Sequence, residues 1–454
     1  MGKARNPSSL SKEENVATEF RPVATAHSAA FTYISMTFFL LTCPPFVIAL
    51  WYTIAESDGS FITTAKFFGE RGLFNGLLSI WPRPTVTAAA LILTFGFFEA
   101  LLQVFLPGEH YHGPLSPTGH SPLYKKNGFT AFVVTLSVYY ILWRKNVFNP
   151  SIVYDRLGEM FSTSIYGSML FCIFLFVKGH VAPSSTDGGS SGNYLVDFYW
   201  GMELYPRIGK WFDVKQFTNC RFGMMSWGVL VLTYCIKQVE LYGKLSDSLL
   251  VSSVLMLVYI AKFFWWEPGY MASMDIAHDR AGFYIVWGCL VWLPCVYTSP
   301  ALYLVKNPIE LHFPAAFAIT AAGLICIYIN YDCDYQRQLF RHTGGKAKIW
   351  GRVPSKIVAH YTTETGDLKQ SILLTSGWWG VARHFHYVPE ILASFFWSLP
   401  ALFYNFSPYF YTVYLTVLLF DRALRDDQRC RAKYQKYWDQ YCSKVRYAIV
   451  PGVY

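Results

Sequence analysis

Long apolar runs alternate with polar, charged stretches along most of the chain. The runs are about 18 to 25 residues long, the length that an α-helix needs to cross about 30 Å of hydrocarbon. The last two are short and meet at Tyr404–Pro408, so they form either a helical hairpin that crosses part of the bilayer or a kinked pair. We predict ten membrane-spanning helices, at 29–54, 85–106, 128–146, 158–178, 222–237, 248–266, 281–305, 313–331, 390–405 and 406–421.

These helices divide the chain into three predicted regions. Residues 1–27 are polar and lack the apolar segment of a signal peptide, so we expect a disordered cytosolic tail. Residues 28–331 contain eight predicted spans, and residues 332–454 are expected to form a cytosol-facing region with a closing hairpin. Lysine and arginine are dense in 336–356 and 421–446, on the side that the positive-inside rule assigns to the cytosol.

Composition agrees with this pattern and argues against other classes. Of the 454 residues, 53% are hydrophobic and 15% are charged, whereas soluble domains contain about 25% charged residues. The predicted fold class is therefore an all-α polytopic membrane protein. The net charge of +9 is spread over several loops, so no nucleic-acid partner is expected. No CxxC pair occurs, and the close histidine pairs lack helical ligand spacing, so we expect no metal site.

Two stretches suit a phosphorylated, aromatic ligand. Arg337 and Arg341 follow the eighth span and share one face of a continuing helix. Two planar guanidinium groups suit a phosphate, although an anchor among lipid headgroups is the alternative. In SGWWGVARHFHYVPE, tryptophans stand beside Arg383, His384 and His386. Such a mixture suits a nucleotide ring with its phosphates, or else an interfacial aromatic belt.

The tail and one acidic stretch complete the candidate chemistry. The amphipathic tail RALRDDQRCRAKYQKYWDQYC is either a solvated helix or a further wall of a nucleotide pocket. WWEPGYMASMDIAHDRAGFY places Glu267, Asp275, His278 and Asp279 at a membrane edge. Acidic groups are costly there, and burial raises a carboxyl pKa, so one of them is a candidate proton carrier at neutral pH. Ion pairing with Arg280 or a neighbouring loop is the alternative.

Several long motifs resemble one known family. LLTSGWWGVARHFHY, RDDQRCRAKYQKYW, GMELYPRIG and SMDIAHDRAGFY are similar to the sterol reductases of the endoplasmic reticulum, in the same order, over residues 107–454. KGHVAPSS, TNCRFGMMSW and HFHYVPEIL are shared with the plant-type Δ7-reductase branch. The resemblance implies ten spans, NADPH as cofactor and a multi-pass location in the endoplasmic reticulum membrane, or in an inner or intracytoplasmic membrane of a bacterium. It also implies a sterol taken from among the membrane lipids and leaves room for association with other sterol-pathway enzymes.

The resemblance further implies which residues contact the cofactor. Arg337 stands where Δ14-reductases have lysine, which keeps the charge. His386 stands where they have asparagine, and its imidazole is still able to donate a hydrogen bond. The implied contacts, together with Arg383 from the stretch above, are Arg337, Arg341, Leu374, Trp379, His386, Asp426, Cys430 and Tyr437.

The implied reaction is NADPH-dependent reduction of the C7–C8 double bond of a Δ5,7-sterol. Protonation at C8 leaves an allylic cation over C5–C7 that accepts hydride at C7, so the site needs an acid and aromatic faces. Glu267, Asp275 and Asp279 are the candidate catalytic acids, acting directly or by tuning a nearby tyrosine. The alternatives are a Δ14-sterol reductase of the same fold and a membrane methyltransferase that uses S-adenosylmethionine. The methyltransferase leaves GMELYPRIG unexplained.

Overall fold

The computed structural model of the protein describes residues 29–116, 118–362 and 368–454. The predicted tail at 1–27 lies outside the described residues. Helices dominate the described chain, and its three sheets are antiparallel ribbons of two strands each. This confirms the predicted all-α membrane architecture, to which the structure adds small ribbons in the connecting segments.

The N-terminal part is built from helices joined by short polar segments. Side chains at the preceding residue cap several of them: Thr85 Oγ1 accepts the backbone N–H of Ala88 at 3.2 Å and starts the second long helix. In chain order the elements are α1 Ala29–Glu56, α2 Phe61–Arg71, α3 Leu73–Ile80, α4 Val86–Phe105, β1 Glu109–His112, β2 Leu123–Lys126, α5 Gly128–Arg144, α6 Ser151–Asp155 and α7 Leu157–Val181.

The middle part contains two π-helical stretches, Gln216–Met224 and Gly288–Tyr297, each continuous with an α-helix. Such stretches are rare and occur often at functional sites. The remaining elements of this part are α8 Tyr194–Trp200, β3 Arg207–Ile208, β4 Phe212–Asp213, α9 Met225–Tyr242, α10 Asp247–Trp265, α11 Glu267–Tyr270, α12 Met274–Ala277, α13 Phe283–Trp287 and α14 Ser299–Lys306.

The C-terminal part begins with the longest helix and then alternates short elements. Its elements are α15 His312–His342, β5 Lys356–Thr362, β6 Leu368–Leu374, α16 Trp378–Val381, α17 Tyr387–Ser398, α18 Phe410–Tyr434 and α19 Lys436–Lys444. Helix α15 has 31 residues, which makes it about 46 Å long. It therefore extends beyond about 30 Å of hydrocarbon and crosses the predicted region boundary at residue 331.

Each of the ten predicted spans overlaps a helix. Helix α5 has 17 residues, α17 has 12, and α18 is charged along its second half. Among the described residues, seven helical stretches are long and apolar enough to cross a membrane: Ala30–Glu56, Val86–Phe105, Leu157–Val181, Gln216–Tyr242, Asp247–Trp265, Phe283–Lys306 and His312–His342.

Helices α17 and α18 form a hairpin, the first of the two arrangements predicted for the final segments. Short 3₁₀ turns at Leu399–Ala401 and Ser407–Tyr409 join them. Ser394 Oγ lies 3.2 Å from Thr412 Oγ1 across the pair. The hairpin packs against α10, α14 and α15, so the site described next rests on the membrane helices.

An aromatic cluster fills the centre of the bundle. The ring centroids of Trp227 and Tyr297 are 5.4 Å apart, and those of Tyr297 and Tyr411 are 4.5 Å apart. Trp397 stacks on Tyr411 at 5.9 Å and is fully buried, as is Trp227. These contacts join α9, α17, α18 and the second π-helical stretch into one core.

Candidate functional site

The end of α15 holds one side of the site. The guanidinium carbon of Arg337 lies 4.6 Å from the ring centroid of Trp379, a cation–π contact. The indole N–H of Trp379 donates to the carbonyl of Cys333 at 2.8 Å, which fixes the ring against the helix. Gly377 has φ +63°, and a Cβ there would lie 2.2 Å from Gln336 Oε1. Glycine therefore lets α16 dock directly on α15.

Trp378, the neighbouring tryptophan, makes the same junction rigid. Its indole N–H donates to Asp332 Oδ2 at 2.7 Å, and its backbone N–H donates to Gln336 Oε1 at 3.2 Å. Its ring lies parallel to Phe385, with centroids 4.8 Å apart. The SGWWG stretch is thus a fixed support for its neighbours, which an interfacial belt alone does not require.

The two histidines lie next to this support. The His386 ring is 4.9 Å from Trp379, and the His384 ring stacks on Tyr387 at 5.4 Å. Burial lowers the pKa of His384 to about 4, and burial together with Arg337 lowers the pKa of His386 well below its usual value. Both rings are therefore neutral near pH 7. His384 Nε2 and His386 Nδ1 are buried without a hydrogen-bond partner among the described residues.

Helix α18 supplies the opposite wall. Asp426 Oδ2 lies 3.9 Å from His384 Nε2 and 3.9 Å from the thiol of Cys430. Arg429 pairs with Asp426 at 2.5 Å. Arg383 lies 3.8 Å from Asp427 and donates to the carbonyl of Val445 at 2.9 Å. This face of the tail therefore packs against Arg383 and His384, so the interpretation as a solvated helix does not describe it.

The remaining predicted cofactor residues lie at the edge of the same region. Leu374 is 5% exposed and packs with Phe340, Ile349 and Trp379 beneath the pocket. Tyr437 lies on α19, with its ring 6.0 Å from that of His360. Arg341 opens onto a cleft of about 460 Å³, which is lined by Arg341, Gln370, Ser371, Ile372, Lys433 and Tyr434.

Two of the predicted acids face α18 from the other side. Asp275 Oδ2 lies 3.2 Å from Arg422 Nη1, and Asp279 Oδ2 lies 3.8 Å from Arg425 Nη1. Asp279 Oδ2 is buried and makes no hydrogen bond to a described residue. Burial, and then the charge of Asp275, raises the pKa of Asp279. Both carboxyl groups therefore lie beside arginines of α18, and burial shifts the pKa of Asp279 upward.

Glu267 is enclosed by its own partners. It and Arg221 are both 0% exposed, and the two side chains form a bidentate pair at 2.5 and 3.1 Å. The backbone N–H of Gly128 donates to Glu267 Oε2 at 2.9 Å. Ion pairing thus occurs at all three acids, but the partners are Arg221, Arg422 and Arg425. Arg280 instead donates to the carbonyl of Gly189 at 2.7 Å.

The sequence analysis did not predict a further cluster of buried polar side chains. Tyr259 donates a hydrogen bond to Glu390, and Lys262 donates one to Asn330. Asn330 in turn donates to the carbonyl of His386 at 2.9 Å, which connects this group to the pocket. Lys262 and Glu390 fall inside the predicted spans 248–266 and 390–405. A charge within an apolar run was therefore the signal that would have found them.

Helix α18 connects the two halves of the site. Arg422 and Arg425 reach the acidic segment, and Asp426 and Asp427 reach His384 and Arg383 one turn further along. The cluster of cationic and aromatic side chains around Trp379 and the pair of carboxyl groups therefore contact the same helix. This arrangement suits a reaction in which a nucleotide and a proton donor act on the same apolar substrate.

Comparison with known proteins agrees with this geometry. The family described as "Ergosterol biosynthesis ERG4/ERG24 family" matches residues 19–454. The chain is 64% identical to a 7-dehydrocholesterol reductase of Arabidopsis thaliana over 430 residues, which cover 95% of this chain and 99% of that protein. It is 36% identical to the 7-dehydrocholesterol reductase of Xenopus laevis, covering 94% and 90%. It is 33% identical to a Delta(14)-sterol reductase of Methylotuvimicrobium alcaliphilum, covering 91% and 93%.

Proposed function

The chain belongs to the ERG4/ERG24 sterol reductase family, and from that premise we propose that it reduces the C7–C8 double bond of Δ5,7-sterols and that NADPH is its hydride donor. Δ7 is favoured over Δ14 because the Arabidopsis 7-dehydrocholesterol reductase is 64% identical and the bacterial Delta(14)-sterol reductase is 33% identical. The methyltransferase alternative loses its support, since a reductase family accounts for residues 19–454.

One observation carries the proposal: the convergence of Arg337, Trp379 and His386 with the tail and the acidic segment. A dinucleotide needs cations for its phosphates and flat faces for its rings. Arg337 over Trp379 offers both at one point. The buried nitrogens of His384 and His386, which lack partners among the described residues, are available to a polar ligand. When bound, NADPH supplies the hydride that the sterol accepts at C7.

The cleft beside Arg341 supports NADPH rather than NADH. Arg341 and Lys433 are the two cations that line it, and Ser371 adds a hydroxyl donor. None of the six lining residues is acidic. A dianionic 2′-phosphate suits such a cleft, whereas a ribose 2′-hydroxyl is usually recognised by a carboxylate. We therefore place the phosphorylated ribose between α15, β6 and α18.

The aromatic core supports the sterol side. Trp227, Tyr297 and Tyr411 present ring faces among membrane helices. Ring faces stabilise a transient cation, and the absence of bulk water protects it. A polycyclic sterol that enters from the bilayer would meet these rings before it reaches the pocket.

The two aspartates support a division of labour in proton transfer. We assign Asp279 as the acid that protonates C8, because burial favours its protonated form and its Oδ2 makes no hydrogen bond to a described residue. Asp275, which pairs with Arg422 at 3.2 Å, adds a negative charge beside Asp279 that raises the pKa of Asp279 further. After hydride addition at C7 the sterol keeps its C5–C6 double bond, and Asp279 takes a new proton from water.

Glu267 and Tyr259 are the competing candidates for the acid. Glu267 forms a fully buried bidentate pair with Arg221, which supports a structural role. The Tyr259 hydroxyl is hydrogen-bonded to Glu390 near the His386 backbone, which makes this phenol a second possible donor. Comparing Asp279→Asn with Tyr259→Phe separates the two, because loss of the general acid should lower the rate about 10²- to 10⁴-fold.

The membrane spans support a multi-pass location, and we propose the endoplasmic reticulum, where the family's sterol chemistry is expected. The substrate would come from the surrounding lipids. Tagged full-length chain, imaged in a cell of the source organism together with an endoplasmic reticulum marker, tests the location.

Product analysis tests the reaction directly. Membranes that contain the full chain are incubated with 7-dehydrocholesterol or with a Δ8,14-sterol, each with NADPH or NADH. We expect the Δ5,7-sterol to lose its C7–C8 double bond with NADPH. Preferential consumption of the Δ8,14-sterol would instead assign the Δ14 reaction. Equal use of NADH would show that the cleft beside Arg341 does not recognise a 2′-phosphate.

A further inference from the structure

Lys215 is a buried lysine that the mechanism above does not use. It directly precedes the π-helical stretch at Gln216 and is 1% exposed. Burying an ammonium group is costly unless it is paired or hydrogen-bonded, and lysines are rarely buried this fully. The partners of Lys215 therefore indicate what the side chain does.

Both hydrogen bonds of Lys215 reach the acidic segment. Its Nζ donates to the carbonyl oxygen of Ile276 at 2.8 Å and to that of Asp279 at 2.5 Å. Ile276 belongs to the last turn of α12, and Asp279 follows its end. Carbonyl groups at a helix C-terminus lack partners and favour a cation. Lys215 thus caps α12 and fixes the backbone from which Asp275 and Asp279 project.

The acidic segment is held from two independent sides. Arg422 and Arg425 of α18 pair with the carboxyl groups, whereas Lys215 binds only the backbone. The backbone of the segment is also held by its own hydrogen bonds, such as that from the Asp279 N–H to the carbonyl of Met274 at 3.0 Å. A shift of about 1 Å in a reacting group is enough to cost a large factor in rate. The contact of Lys215 with the Asp279 carbonyl is therefore the side-chain contact that anchors the backbone next to this carboxyl group.

The charge of Lys215 also acts on these carboxyl groups. The groups that face it are Asp213, Asp275, Asp279 and Cys289, and its ammonium lies 5.9 Å from the Tyr205 ring. Burial lowers the pKa of Lys215 to about 8, so the side chain is mainly charged at neutral pH. Asp279 additionally faces Arg422 and Arg425. Lys215 is thus one of three cations that oppose the effect of burial on Asp279.

We propose that Lys215 is a positioning residue for proton transfer, which holds the segment 275–279 in place and sets the charge that its acid experiences. The inference rests on the proposed function, because it assigns Asp279 as the proton donor to the sterol. Lys215 itself touches neither the sterol nor the cofactor in this assignment.

The test compares Lys215→Met and Lys215→Arg with the full wild-type chain. The matched control is Lys237→Met, since Lys237 is 7% exposed and pairs with Asp155 and Glu240, which belong to neither half of the site. The measurements are kcat and KM for NADPH with 7-dehydrocholesterol, over about pH 4 to 9, so that the range begins near the ordinary pKa of an aspartate. Thermal unfolding and NADPH affinity report whether each variant is folded.

The expected direction of each change in the pH profile of kcat follows from the protonation of Asp279. The reaction uses its protonated form, so kcat falls as pH rises through its pKa. Lys215→Met removes a nearby positive charge, raises that pKa further and moves the alkaline limb of kcat to higher pH. At neutral pH its kcat should fall about 10- to 100-fold, with KM for NADPH nearly unchanged. Lys215→Arg keeps the charge, so the limb should stay in place and much of kcat should return.

If Lys215 had only a structural role, its replacement would lower the amount of folded enzyme but would not move the alkaline limb of kcat. The inference is overturned if Lys215→Met keeps wild-type kcat and an unchanged limb, or if Lys237→Met moves the limb equally. If Lys215→Met does not fold, Lys215→Arg decides alone: an alkaline limb displaced to higher pH contradicts the charge argument. A wild-type chain that cannot reduce 7-dehydrocholesterol refutes the proposed function, whereas an active wild type with normal Lys215 variants refutes only the role of Lys215.

Discussion

The carboxylate of Asp275 lies 3.2 Å from the guanidinium group of Arg422, although the two residues are 147 positions apart in the chain. Arg422 belongs to the same helix that carries Asp426 to within 3.9 Å of His384. A single helix thus contacts both the acidic segment and the cofactor pocket. The two halves of the proposed reaction are therefore held in a fixed relation to each other.

Replacing Arg422 by methionine should remove the contact between α18 and the acidic segment. We expect kcat with 7-dehydrocholesterol to fall about 10- to 100-fold, because Asp275 loses its partner and the acidic segment shifts. KM for NADPH should change much less, since Arg337 and Arg341 remain. The control is Lys244→Met, because Lys244 is 72% exposed and pairs with Glu310 at 2.7 Å, away from both halves of the site. Unchanged kcat in Arg422→Met would show that the contact is not needed.

Arg341→Met and Lys433→Met should reduce the preference for NADPH. Each removes one cation from the cleft, and a hydrogen bond to a charged group contributes about 1.5–3 kcal/mol. KM for NADPH should therefore rise about 10- to 100-fold, while kcat/KM for NADH stays the same. Lys346→Met, at an exposed lysine after α15, is the control. A parallel loss with both cofactors would place the 2′-phosphate elsewhere.

Glu267→Gln should affect stability rather than chemistry. Removing one partner of a buried ion pair typically costs about 3–5 kcal/mol, because the remaining charge stays buried. We expect a clear drop in thermal stability, together with an unchanged pH profile of kcat in the enzyme that folds. If the folded variant instead lost about 10²- to 10⁴-fold in kcat, Glu267 would be the general acid. The assignment of Asp279 would then be wrong.

His384 should make stability fall in acid. Burial lowers its pKa from 6.5 to about 4. Between these values the unfolded chain binds a proton that the folded chain does not, so this contribution is present above pH 6.5 and is lost as pH falls toward 4. His384→Gln should therefore lose less thermal stability than wild type between about pH 7 and 5. His360→Gln, at an exposed histidine, should behave like wild type.

Local spacing predicted the parts of the site that lie within one helix. Arg337 and Arg341 share a face because α15 continues to His342 as a regular helix. The spans could be predicted from the apolar runs in the same way, because the length and hydropathy of a run are properties of consecutive residues. The ribbon of β5 and β6 was missed because its strands lie in a polar connecting segment without a long apolar run.

The pairing of distant residues could not be predicted in this way. The sequence placed Asp275 and Asp279 at a membrane edge and named Arg280 as a partner, but packing of α18 brings Arg422 and Arg425 there. Glu267 likewise finds Arg221 across 46 positions. Which arginine pairs with each acid depends on how the helices pack. It cannot be inferred from the basic residues that lie nearby in the sequence.

The most direct test of the account is the affinity of the purified full-length chain for NADPH. Binding is measured by titration for wild type, for Arg337→Glu/Arg341→Glu, and for the exposed control Lys346→Glu. We expect saturable binding by wild type and the control, and affinity at least about 100-fold weaker in the double variant, because two phosphate contacts become repulsive. Absence of saturable binding in wild type, or equal affinity in the double variant, would contradict it.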